Sequence, residues 1–118
     1  MARLLRSFKW AGQGLQHCFK LEKNFQVHCV LAVITVVLGI GLKISALEWI
    51  LICMSISAVL AVEMLNTALE HLCNIVQPAI HPAVKVIKDV SAGAVLVVAV
   101  TAVICGSIIF IPKIISLL

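Results

Sequence analysis

Charge is scarce in this 118-residue chain: 12% of its residues are Asp, Glu, Lys or Arg, against 63% hydrophobic ones. Soluble domains carry about 25% charge and about 45–50% apolar residues. A body this small has too much surface to cover with so few polar groups, so a water-soluble globule is excluded. Intrinsic disorder is excluded by the same shortage. Acidic residues are fewest, at five against nine basic ones, and tyrosine is absent. The resulting charge of +4 is spread too thinly for a nucleic-acid stripe, so no nucleic-acid partner is expected. Five cysteines are present without a CxxC pair, and they read as small buried hydrophobes rather than disulfides or metal ligands. No repeat, low-complexity tract or cleavable signal peptide is evident. With a mean hydropathy of +1.19, the chain reads as a single-domain, all-α integral membrane protein.

Three runs lack formal charge: Asn24 to Leu42, Trp49 to Val62, and Val90 to Pro112. The middle run falls short of the about 20 residues that cross a hydrocarbon core. It can span only by continuing through Glu63, Asn66 and Glu70 towards Val76. The expected membrane helices are therefore about 26–45, 47–76 and 83–116. Ser45 and Ala46 form a short hairpin, and Pro78 and Pro82 break the chain before the third span. Residues 1–22 differ: Leu4, Phe8, Ala11, Leu15 and Phe19 mark one helical face, opposite Arg3, Arg6, Gln13, His17 and Lys20. That pattern predicts an amphipathic helix lying in the headgroup plane.

Seven of the nine basic residues lie before the first span or at Lys85 and Lys88. The excess of positive charge places the amino terminus and the 77–89 connection in the cytoplasm. A multi-pass protein of a prokaryotic inner membrane, with its functional groups on the cytoplasmic side, is the expectation. Trp49 and Glu48 then anchor the outer boundary, and Gly93, Ala94, Ala99, Ala102 and Gly106 permit close helix packing.

The second span carries Glu63, Asn66, Glu70 and Asn74 at i, i+3, i+7 and i+11. At about 100° per residue all four fall within an arc of about 80°, with Thr67 beside it. Ionisable groups in a span are costly and commonly functional. A polar seam between helices would account for Asn66 and Thr67, but two carboxylates repel each other unless neutralised. Glu22, Lys88 and Asp89 are expected to meet this face. Carboxylates near one surface suit Mg²⁺, which takes oxygen ligands and completes its shell with phosphate and water. A lysine can hold phosphate as a point charge. Glu63, deeper and without an evident cation, suits a general base. The constellation fits phosphoryl transfer from ATP to a membrane hydroxyl, and no P-loop sequence is present. The alternative is a non-enzymatic small oligomer or a proton-relay protein. His28 and His71 read as interfacial hydrogen-bonding residues rather than zinc ligands, since HxxxH and HExxH spacings are absent.

The stretch Glu63-Met-Leu-Asn-Thr-Ala-Leu-Glu70, followed by Lys88-Asp89-Val-Ser-Ala-Gly-Ala-Val95, resembles the signature of the prokaryotic diacylglycerol kinase family, which includes undecaprenol kinases. Glu22-Lys-Asn-Phe25 is similar to the family's segment before its first span. The resemblance implies a homotrimer of three-span protomers, each with a surface helix, sharing composite sites. It implies a kinase using ATP and Mg²⁺ on a membrane lipid alcohol, undecaprenol or diacylglycerol. It assigns Glu63 as catalytic base with Asn66 beside it, and Glu22 and Glu70 to Mg²⁺. Arg3, Trp10, Ala79, Ile80, His81, Lys88 and Asp89 are implied at the nucleotide, and Asn24 and Phe25 with Glu63 at the lipid. Asn74 stands where the family usually has aspartate, a change expected to lower metal or nucleotide affinity. The loop from Gln77 to Val84 resembles the undecaprenol kinase-like branch.

Overall fold

A computed structural model describes all 118 residues, most of them in four α-helices. They are α1 (Ala2–Leu21), α2 (Lys23–Gly41), α3 (Ala46–Val76) and α4 (Pro82–Leu117). The last three are long and apolar enough to cross a membrane. At about 1.5 Å per residue α4 is about 54 Å long, well beyond a hydrocarbon core of about 30 Å. That length matches the 54 Å longest dimension of the molecule. α4 packs mainly on α3, which also receives α2, whereas α1 touches α2 and α3 lightly.

The first span begins and ends earlier than the hydrophobic run suggests. Glu22 is extended and separates α1 from α2. The corner is stitched by Gln26, whose side-chain amide donates to the carbonyls of Phe19 (3.0 Å) and Lys20 (3.2 Å). Those carbonyls belong to the last turn of α1, where no helical partner remains. At the other end the helix stops at Gly41, and Lys43 adopts a left-handed conformation (φ 52°). Ile44 N–H then returns to the carbonyl of Gly39, 3.2 Å away.

Ser45 is not a hairpin residue but the cap of α3. Its hydroxyl accepts from Glu48 N–H while the Glu48 carboxylate accepts from Ser45 N–H, a reciprocal capping box. Glu48 also pairs with Lys113 of α4 at 3.1 Å. Trp49 packs against Gly39, where an added Cβ would lie 2.8 Å from the indole. Glu48 and Trp49 thus lock the turn between helices, a role beyond the boundary anchoring expected of them. Ile44, Ile52, Ile109 and Phe110 form a buried cluster beneath this turn.

Gln77 to His81 is the break between α3 and α4, and Pro82 begins α4 rather than merely ending what precedes it. Proline suits the first helical position, where its missing N–H would lack a partner anyway. His81 caps the helix, its Nδ1 accepting from Ala83 N–H at 3.1 Å.

The close-packing role expected of the small residues on α4 is not met within the chain. A Cβ on Gly93 or Gly106 would meet open space. Ala99, Ala102 and Gly106 instead line a cavity of about 380 Å³ between α2, α3 and α4, together with His28, Val59 and Phe110. α2 and α4 both pack on α3 and hardly touch each other, so small side chains leave a cleft open instead of closing a contact.

Candidate active site

Only 13 of 118 residues are buried, and Glu63, Asn66, Thr67 and Ser91 are among them. In a chain whose large hydrophobics mostly face outward, a polar interior is the informative feature. Glu63 is 3% exposed and its Oε2 has no hydrogen-bond partner. His28 of α2 approaches it, with Nε2 3.6 Å from that oxygen. No lysine or arginine pairs with Glu63.

Asn66, one turn further along α3, is fixed across the interface with α4. Its Oδ1 accepts from the Ser91 hydroxyl at 2.7 Å in a buried hydrogen bond. The oxygen being engaged, the Asn66 amide nitrogen is the group left to donate. Thr67 is also buried, Glu70 half-buried and Asn74 exposed. The face therefore runs from interior to water as helical periodicity predicts.

Glu22 reaches the same region from the α1–α2 corner. Both Glu22 and Glu70 are close enough to act electrostatically on Glu63. Glu22 lies 3.6 Å from His71, and Glu70 makes no ion pair. None of the three carboxylates pairs with a lysine or arginine. Glu22 and Glu70 offer carboxylate oxygens of the kind a hard divalent cation takes, and the buried Glu63 Oε2 has no hydrogen-bond donor of its own. Cys18 is buried nearby on α1. Burial, with the negative charges of Glu22 and Glu63, pushes its thiol up, so it remains protonated and packs as a hydrophobe.

Lys88 donates to Asn74 Oδ1 at 2.7 Å. The amide at position 74 thus retains the acceptor function while leaving the lysine charge unneutralised. Asp89 pairs not with Lys88 but with Lys85, at 2.6 Å. Phe25 is 3% exposed and packs inside the chain, whereas Asn24 faces outward. Arg3 and Trp10 are exposed along α1, and Ala79, Ile80 and His81 are exposed on the connecting loop. None of these five residues makes a side-chain contact with the carboxylate cluster.

Sequence reasoning missed two participants. Ser91 lies 25 residues from Asn66, and only the crossing of α3 and α4 joins them. Its place inside the Lys88 to Val95 motif was the available signal. His28 was read as interfacial, yet it is the closest ionisable neighbour of Glu63.

Comparison with known proteins bears on this arrangement. The family described as prokaryotic diacylglycerol kinase matches residues 9–110. An undecaprenol kinase of Bacillus subtilis is 39% identical over 111 residues, spanning 94% of this chain and 90% of the relative. A diacylglycerol kinase of Synechocystis is 34% identical over 116 residues, covering 98% of this chain and 66% of the relative. One of Haemophilus influenzae is 31% identical over 111 residues, covering 93% and 94% respectively. A match of this extent, carried over the helices that bring Glu63, Asn66 and Ser91 together, means that the chain belongs to the prokaryotic diacylglycerol kinase family.

Proposed function

We propose that this chain is a lipid kinase, transferring the γ-phosphoryl group of ATP to the hydroxyl of a membrane alcohol, undecaprenol or diacylglycerol. The observation that carries the reading is the buried Glu63 carboxylate, one oxygen of which lacks a hydrogen bond, on one helix face with Asn66 and Glu70. The names of the relatives support the substrate class.

Glu63 takes the proton of the lipid hydroxyl as that oxygen attacks the γ-phosphorus. The new P–O bond forms as the bond to the β-phosphate oxygen breaks, and ADP leaves. Asn66, held by Ser91, donates from its amide to the reacting oxygens. His28 stands where it can receive the proton from Glu63 or stabilise its charge. Lys88 holds a phosphate oxygen, and Arg3, Trp10, Ala79, Ile80, His81 and Asp89 frame the nucleotide. Asn24 and Phe25 border the entry of the lipid. The cavity beside His28 receives the apolar chain, so the hydroxyl lies at the polar end.

Glu22 and Glu70 are the residues that would hold Mg²⁺. That ion, when bound, neutralises charge on the triphosphate. Much of the rate enhancement then comes from positioning and charge neutralisation, as phosphoryl transfer requires. α1 lies in the headgroup layer of an inner membrane, the carboxylate end faces the cytoplasm, and three protomers assemble so that the outward groups of one complete the site of its neighbour.

The test is transfer of label from γ-labelled ATP to extractable lipid by purified protein, with undecaprenol and diacylglycerol side by side. Labelled lipid that depends on added Mg²⁺ is expected. Its absence with both alcohols would favour a non-enzymatic oligomer or proton relay.

A further inference from the structure

We propose that His17, Glu22 and His71 form a binding site for a divalent transition-metal ion of the zinc class. The three side chains come from different parts of the fold: α1, the α1–α2 corner and the polar half of α3. One ligand atom from each lies within 4.8 Å of the other two. The pair His71 Nε2 and Glu22 Oε1 is already at 3.6 Å. Tetrahedral zinc, with bonds of about 2.0–2.1 Å, spaces its ligand atoms by about 3.4 Å. His17 therefore needs only a small adjustment, which its exposed side chain can make by rotation. Its ring already meets that of His71 edge-on, with centroids 5.5 Å apart.

The donor set selects the ion. Two imidazoles and one carboxylate suit zinc and its neighbours in the first transition row, whereas Mg²⁺ prefers oxygen. Three protein ligands also leave a position for water, and His71 is exposed enough to admit the ion from solution. The corner holding Glu22 is braced by the Gln26 hydrogen bonds, so two ligands start from a fixed backbone. An ion there would tie α1 to α3, two helices otherwise lightly joined. It would also occupy Glu22. Inhibition of phosphoryl transfer follows, and this consequence, unlike the binding, rests on the kinase reading above.

The experiment titrates purified full-length protein in detergent with Zn²⁺ by calorimetry, and with Co²⁺ by visible absorption, in excess Mg²⁺. One ion per chain and a tetrahedral Co²⁺ band are expected. His17→Gln and His71→Gln should each weaken binding by about tenfold or more, and the double variant should abolish it. Cys18→Ser should bind as the unaltered protein does. No binding by the unaltered protein, equal binding by the double variant, or loss in Cys18→Ser would overturn the site. Helicity and elution volume check that the variants stay folded, His17 and His71 being exposed and Cys18 buried. In the lipid-labelling assay Zn²⁺ should inhibit the unaltered protein and require at least about tenfold more for the double variant. Equal inhibition of both overturns competition for Glu22. Zinc binding by a protein that phosphorylates neither alcohol would refute the kinase reading and leave the metal site standing.

Discussion

The two ends of the helical hairpin formed by α3 and α4 obey opposite rules. Near Ser45 the carboxylate, Glu48, is engaged on two sides: it completes the capping box at the start of α3 and meets Lys113, and four large apolar side chains fill the space beneath. Near Gln77 the interior mixes the polar side chains Glu63, Asn66, Thr67 and Ser91 with Cys18, Phe25 and Cys73, and one carboxylate oxygen lacks a hydrogen bond. An unpaired buried acceptor costs free energy that ordinary folding would remove. Its presence at one end and absence at the other separates the part that holds the helices in register from the part kept ready for chemistry.

The contrast is broken most severely at Glu63. Glu63→Gln should lower kcat by about 10²–10⁴-fold while nucleotide binding largely persists, as loss of a general base predicts. Loss of nucleotide binding instead would show that Glu63 is not the base. Next come Glu22→Gln and Glu70→Gln, each expected to raise the Mg²⁺ concentration for half-maximal activity by about tenfold or more. Unchanged Mg²⁺ dependence in both would remove them as metal ligands. Ser91→Ala should reduce kcat about tenfold with little change in KM, since the buried Asn66 oxygen loses its donor.

At the other end effects should appear in stability and spare turnover measured at low temperature. Gly39→Ala forces a methyl against the Trp49 ring and should destabilise by about 1–3 kcal/mol, measured by thermal unfolding in detergent. An unchanged Tm would mean that the turn yields without cost. Lys113→Ala should lower the Tm least, because a half-exposed ion pair still open to solvent contributes little.

Much of this division was legible in the sequence. Uncharged runs located the spans, and the spacing of Glu63, Asn66 and Glu70 placed them on one face of a helix that had to be continuous. Periodicity describes one helix at a time, however. It does not report the rotation of α4 that sets Ser91 against Asn66, or the depth of α2 that sets His28 against Glu63. The small residues of α4 make the same point: spacing marks Gly106 as a contact residue but does not say which helix it meets, and within the chain it borders the cavity. His17 and His71 show no metal spacing because 54 positions separate them and a bend in the chain joins them.

The amide of Gln26 carries a mechanical consequence. By donating to two carbonyls across the bend, it makes a bracket of what could have been a loose joint. Turning the first helix about the bend would have to break those two bonds, so Phe19 and Lys20 move with the start of the second helix.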